Sequence, residues 1–269
     1  MRLLTTASSA VRAQQLALDT VADNLANVNT NGFKARQVDF AETLAQNQNA
    51  GNLSGQGTQN PGQLDIGAGA VYRSISYNLE QGGLTKTDSP WDLAIAGSGY
   101  FPVTTSNGTT AYTRDGVFRV EFSTDQQGQS VGMIVDKQGN RLSTKPQFSI
   151  LEGDTNFIIN QDGKVMGLDK DGKTKNFGQI NLAQFGKAER LSSIGDNLLV
   201  PTAESGPAVE MAPGSGDAGV IISQSLELSN VNLATAMAEL IQAQRAYQVN
   251  VRMIQNGDQM EAIANSLRR

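Results

Sequence analysis

Histidine and cysteine, the side chains that most often carry covalent and metal chemistry, are both absent from the 269 residues. Without cysteine there is no thiolate nucleophile, no disulfide and no thiolate-ligated zinc or iron–sulfur cluster. Without histidine there is no Ser-His-Asp triad, no imidazole base and no ordinary zinc site. Carboxylates remain, and glycoside hydrolysis needs only two of them. The candidates Glu152, Asp154 and Asp162 lie around turns, solvated and in no recognisable pairing. Asp169-Lys170-Asp171-Gly172-Lys173 starts like a calcium loop but lacks the later oxygen ligands and the closing glutamate, so a hairpin turn accounts for it. Gly97-Ser98-Gly99 is followed by neither a helix nor a lysine that would cradle a phosphate. These residues predict no enzyme, no cofactor, no metal site and no small-molecule substrate.

Charge narrows the partners. Against 21 Lys and Arg stand 26 Asp and Glu, a formal net charge of −5. Nucleic acid is excluded on that balance, because phosphate binding needs a basic face to displace counterions. The basic residues are scattered, which offers nothing to an anionic membrane. No segment reaches the roughly 20 apolar residues of a spanning helix. The start, Met1-Arg2-Leu3-Leu4-Thr5-Thr6-Ala7, turns polar too early for a secretory signal, so export is expected to proceed without a cleaved one.

With no reactive constellation, interest passes to the elements. Leu4, Val11, Leu18 and Leu25 recur every seven residues, and Ala7, Val21 and Val28 fill most intermediate positions, with Gln14 the polar interruption. A helix over 3–27 would span roughly 37 Å. Asn27-Val28-Asn29-Thr30-Asn31-Gly32 then ends it, since Asn and Gly accept left-handed geometry. Near the other end Leu233, Leu240, Tyr247 and Ile254 repeat by seven, with Met237, Gln244 and Val251 between. Ser229 or Asn230 is expected to cap that helix, Arg268 and Arg269 suit its dipole, and Gly257 should loosen it.

The middle reads as β. Residues 46–69 are rich in Gly, Gln and Asn and lack periodicity, as a connector does. Val71, Arg73, Ile75, Tyr77 and Leu79 then alternate with polar residues and Tyr72 at strand period. Asn107-Gly108, Asp115-Gly116, Asp162-Gly163 and Asp171-Gly172 supply tight-turn pairs between short Val/Ile/Phe/Tyr runs. Leu93–Ile95, Val117–Val120, Gly132–Val135 and Phe157–Ile159 are the expected core strands. The predicted fold is α+β. A discontinuous, coiled-coil-like helical domain is drawn from 1–45 and 225–269, a connector with the first strand covers 46–88, and a β-rich domain covers 89–224. Each helix exposes an apolar stripe that must be buried, and an isolated helix is marginal in water. Two readings stand: the stripes pack within one chain, or neighbouring copies complete them. A two-carboxylate glycoside hydrolase is the principal rival function, and a secreted binding module with a helical oligomerisation stalk is the second.

Asn24-Leu25-Ala26-Asn27-Val28-Asn29-Thr30-Asn31-Gly32-Phe33-Lys34 resembles the signature that follows the first helix in the axial family of flagellar rod and hook proteins. Four further segments match in order: Leu64–Val71 with Gln81–Leu84; Asp92–Phe101; Tyr112–Phe118; and Leu226–Asn232 with Gln244–Gln248. The resemblance implies a structural rod subunit whose terminal helices form the inner layer of a hollow tube and whose β domain lies outside them. It implies a helical homopolymer, other rod and hook proteins as partners, bushing rings around the rod, and passage through the flagellar type III export apparatus to an extracytoplasmic basal body. The assembly interface is expected at Leu4, Val11, Leu18, Val21, Leu25, Asn27 and Asn29, and at Leu233, Leu240, Tyr247, Val251 and Ile254. For the asparagines, local turn chemistry is the competing account. Phe40 and Leu44 resemble the short hydrophobic motif read by the export gate.

Overall fold

The computed structural model describes residues 2–42, 70–124, 130–145, 150–151, 155–168 and 173–267. Two long helices, α1 (Arg2–Ala26) and α2 (Leu233–Leu267), bracket a chain of short strands, so the protein is α+β with a β-rich centre. It divides into two compact units. One draws on residues up to Leu25, on Arg36–Ser76 and on Leu233 onward; the other on Ala26–Ala35 and Tyr77–Asn232.

In the first unit, the strand Arg36–Glu42 pairs with Ala70–Tyr77. Asn24 uses its whole amide on one residue: Nδ2 donates to the Arg36 carbonyl and Oδ1 accepts the Arg36 N–H, both at 2.8 Å. That exchange copies a strand pairing with a side chain, which ties the last turn of α1 to the start of the strand. The alternation expected over 71–79 forms the strand Ala70–Tyr77, on which Tyr72 and Ile75 stay exposed and Tyr77 is half-buried. A two-stranded ribbon has no second layer to cover them.

The β unit holds the core. The largest sheet runs Ile150–Leu151, Ser130–Val135, Arg141–Leu142, Phe101–Thr104, Thr110–Thr113, Leu198–Val200, Ser192–Gly195, with Arg119–Thr124 also on Ser130–Val135. A second sheet orders Thr144–Lys145, Thr174–Ile180, Lys164–Leu168 and Thr155–Ile159. Leu93, Phe101, Val103, Val165, Ile180, Leu182 and Ile221, drawn from these sheets and from the shorter strand pairs, are fully buried in one core cluster. Phe101 and Phe118 meet edge-on at 5.3 Å, a favoured aromatic geometry.

Asn107-Gly108 and Asp162-Gly163 turn hairpins, both glycines having positive φ. Asp115-Gly116 does not. Gly116 accepts the Leu93 N–H at 2.9 Å, and a Cβ there would stand 1.6 Å from the Leu93 carbonyl oxygen. Close backbone approach, not turn geometry, requires that glycine. Asp171-Gly172, Arg268, Arg269, Glu152, Asp154 and the connector 46–69 lie outside the described residues.

Candidate functional site: a buried ion node and an exposed helical face

Three of the signature segments converge in the β unit. Gly32, at φ +67°, lets the chain double back after Asn27, and its N–H donates to the Glu227 carbonyl at 2.7 Å. That contact delivers Lys34 to the same residue. Lys34 Nζ lies 2.7 Å from Glu227 Oε1, Arg114 donates to Oε2 at 2.9 Å, and the Gly82 N–H reaches Oε1 at 3.0 Å. Glu227 has a side chain only 1% exposed, and its two partners are nearly as buried. Lys34 also donates to the Glu80 carbonyl and Arg114 to the Gly97 carbonyl, each at 2.7 Å. The Arg114 guanidinium stands 5.4 Å from the centre of the Tyr100 ring.

Burial alone would raise the Glu227 pKa; the Arg114 charge, the Lys34 hydrogen bond and charge, and the Gly82 N–H outweigh it and hold the carboxyl below its ordinary range. Lys34 is also lowered, chiefly by burial, with Arg114 pushing the same way against the bond to Glu227. Two cations on one carboxylate more than offset the burial of Glu227, whereas burial and the neighbouring Arg114 outweigh what Glu227 gives back to Lys34. A buried pair contributes little net stability against an apolar substitute, but losing one member strands the others without water. This node is therefore a lock on conformation and not a reaction centre. Among the described residues no group of three His, Cys, Asp or Glu could hold a metal. Asp162 sits exposed in its hairpin turn.

The expected N-cap is corrected here. Asn230 does not cap α2, which starts at Leu233; its Oδ1 accepts the Ala35 N–H at 2.7 Å, and its Nδ2 reaches the carbonyls of Asn78 and Glu80. Ser229 accepts only the Val231 N–H. Sequence reasoning passed over Lys34, Arg114 and Glu227 as sites. The available signal was Leu226-Glu227-Leu228, a charge inside an apolar strand.

The predicted assembly residues fall on both helices. Val11, Leu18, Val21 and Leu25 are half-buried on α1; Leu4 lies on α1 with a side chain outside the described set. Asn27 is half-buried and accepts the Thr30 hydroxyl at 3.2 Å, while Asn29 is exposed. On α2, Leu240, Tyr247, Val251 and Ile254 are half-buried and Leu233 is exposed. The most buried α2 positions are small, Ala236 and Ala243, interleaved with Leu240 and Tyr247 at heptad spacing. Eight large apolar side chains of α2, those of Leu233, Met237, Ile241, Val249, Met253, Met260, Ile263 and Leu267, stay 46–83% exposed. Phe40, on the strand Arg36–Glu42, is also exposed and borders a groove with Gln14 and Ala17 of α1 and Gln242 and Ala243 of α2. Leu44 lies outside the described residues.

The described residues form two terminal helices, one carrying exposed large apolar side chains, and a β-rich centre. Comparison supplies the class. Residues 4–34 match the family described as flagella basal body rod protein, 94–167 the flagellar hook protein FlgE/F/G D1 domain, and 222–267 the flagellar basal body rod FlgEFG protein C-terminal region. The flagellar basal-body rod protein FlgG of Caulobacter vibrioides is 40% identical over 271 aligned residues covering 100% of both chains. That of Borreliella burgdorferi is 36% identical over 100% of this chain and 99% of its own, and that of Bacillus subtilis 34% over 97% and 96%. The chain belongs to the flagellar basal-body rod family and is a structural subunit of the rod, not an enzyme.

Proposed function

We propose that the chain is a subunit of the distal rod and polymerises with its own copies into a hollow helical tube, using the apolar faces of its two terminal helices. One observation supports this above the others: eight large apolar side chains between Leu233 and Leu267 stay exposed to water. Exposed apolar surface on this scale marks a site that a partner covers. In this reading, residues 1–45 and 225–269 form the coiled-coil-like inner layer, 46–88 a connector, and 89–224 the outer layer. Torque passes through the packed helices, and exported chains pass along the lumen. Leu4, Val11, Leu18, Val21, Leu25, Asn27, Asn29, Leu233, Leu240, Tyr247, Val251 and Ile254 contribute to the layer, joined by the remaining exposed side chains. Other rod and hook proteins flank the polymer and bushing rings surround it. Phe40 and Leu44 serve the type III export gate, which carries the subunit out of the cytosol.

Methionine oxidation tests the face directly. Met237, Met253 and Met260 belong to the exposed set, whereas Met133, Met166 and Met211 are half-buried elsewhere and serve as references. Dilute hydrogen peroxide should convert the first three to sulfoxides in purified monomer and spare them in intact basal bodies. Equal oxidation in both preparations would rule the face out.

A further inference from the structure

The β unit is closed by its own C-terminal edge. Leu84–Lys86 pairs with Ser225–Glu227, and Leu93–Ala96 with Val220–Ser223, both antiparallel. Leu93 and Ile95 are core residues, so the first half of the core gains its neighbour Ile221 only from residues beyond 219. Between those ladders the segment is stitched further. Gly219 donates to the Ser98 carbonyl, Ser225 to Asp92, Leu228 to Gly83, and Asn230 grips Ala35, Asn78 and Glu80. Residues 219–230 thus touch segments as early as 32–35 and as late as Gln161, which accepts the Ile221 N–H through its carbonyl.

Charge makes this closure closer to all-or-none. Lys34 and Arg114 belong to the early chain, and their carboxylate arrives 193 and 113 residues later. Without Glu227 the native arrangement would bury two cations beside one another with no anion, which costs far more than leaving them hydrated. Apolar edges can stick loosely before their partner comes; a pair of like charges cannot be buried provisionally.

We propose that residues 219–230 act as a closing strap, and that docking of Glu227 on Lys34 and Arg114 is the step that commits the β unit to fold. Because synthesis runs from the N-terminus, the chain stays open until nearly all of it exists. A subunit that must be moved before it folds is thereby protected from folding early, although the inference stands on the β unit alone.

Refolding of the full-length chain from urea, followed by pulse-labelling hydrogen exchange, tests it. Amides of Leu93–Ala96 and Phe101–Thr113 should gain protection in the same phase as those of Val220–Glu227. Protection of the early strands while 220–227 still exchange would overturn the proposal. Glu227→Gln should slow refolding by roughly 100- to 4000-fold and leave unfolding nearly unchanged, the signature of a contact formed in the transition state. A variant that refolds at the wild-type rate and merely unfolds faster would also overturn it. Should the variant not fold, the labelling order in the unmodified chain decides alone.

Discussion

Replacing Met253, Met260 and Ile263 with glutamine should disable assembly and leave the monomer folded. The three side chains are 54%, 58% and 59% exposed, so about half of each remains to be buried by a neighbour. Full burial of such a side chain contributes about 1.5–3 kcal/mol. Half of that over three positions gives roughly 2–4.5 kcal/mol per subunit, before any cost of burying the new amides. At about 1.4 kcal/mol per tenfold, the critical concentration for polymerisation rises by roughly 30- to 1000-fold. Glutamine is as good a helix former as methionine and better than isoleucine, so α2 itself is not weakened. Sedimentation of purified subunit over a concentration series measures the shift, and circular dichroism checks that the monomer is intact. A folded triple variant that polymerises at the wild-type concentration would refute the reasoning, because it would place the intersubunit contact on another face.

At equilibrium, Glu227→Gln should lower stability by about 3–5 kcal/mol, the usual cost of removing one member of a buried ionic group, measured by urea denaturation at pH 7. The pH dependence has a definite sign. The folded Glu227 pKa lies below its unfolded value of 4.5, so its contribution is complete above that value and is lost as pH falls towards the folded one. Lys34, also lowered from 10.5, makes stability rise with pH between its folded value and 10.5, since there the unfolded chain holds more protons. Urea midpoints taken below pH 4.5 should fall less steeply with acid in the Gln variant than in the parent. Gly116→Ala should cost about 3 kcal/mol or more, because its Cβ meets a backbone carbonyl that cannot give way. Gly108→Ala, with φ +78° but open space around it, should cost only about 1–2 kcal/mol, and thermal melts of the two will separate the causes.

Much of the fold is legible in the sequence because periodicity is a one-dimensional record of burial. The heptads of both helices, the turn pairs Asn107-Gly108 and Asp162-Gly163, and the apolar runs Leu93–Ile95 and Gly132–Val135 each report their surroundings through neighbours a few residues away. The failures at Asp115-Gly116 and Asn230 share a cause. Both residue types favour turns and caps locally, but here they serve contacts with Leu93 and with Asn78 and Glu80, set by strands that pair across long stretches of chain. The ion node was illegible for the same reason. Lys34, Arg114 and Glu227 are ordinary charges until three distant segments bring them together in a dry core.

The helix α2 shows how a correct period can hide a face. A stripe search ranks positions by size and finds Leu233, Leu240, Tyr247 and Ile254. The fold instead buries Ala236 and Ala243 most deeply, because small side chains permit close approach, and Leu240 and Tyr247 share that side. Ile241, Met253, Met260 and Ile263 fall outside the expected stripe, and Leu233 and Met237, which belong to it, stay exposed. Large apolar side chains are left exposed on one side of the first turns of α2, at Leu233, Met237 and Ile241, and on another side further along, at Val249, Met253, Met260, Ile263 and Leu267. On a helix 35 residues long their cost in solubility is offset if a partner covers them. In the reading proposed above, the small buried residues shape the subunit and the large exposed ones serve its polymerisation.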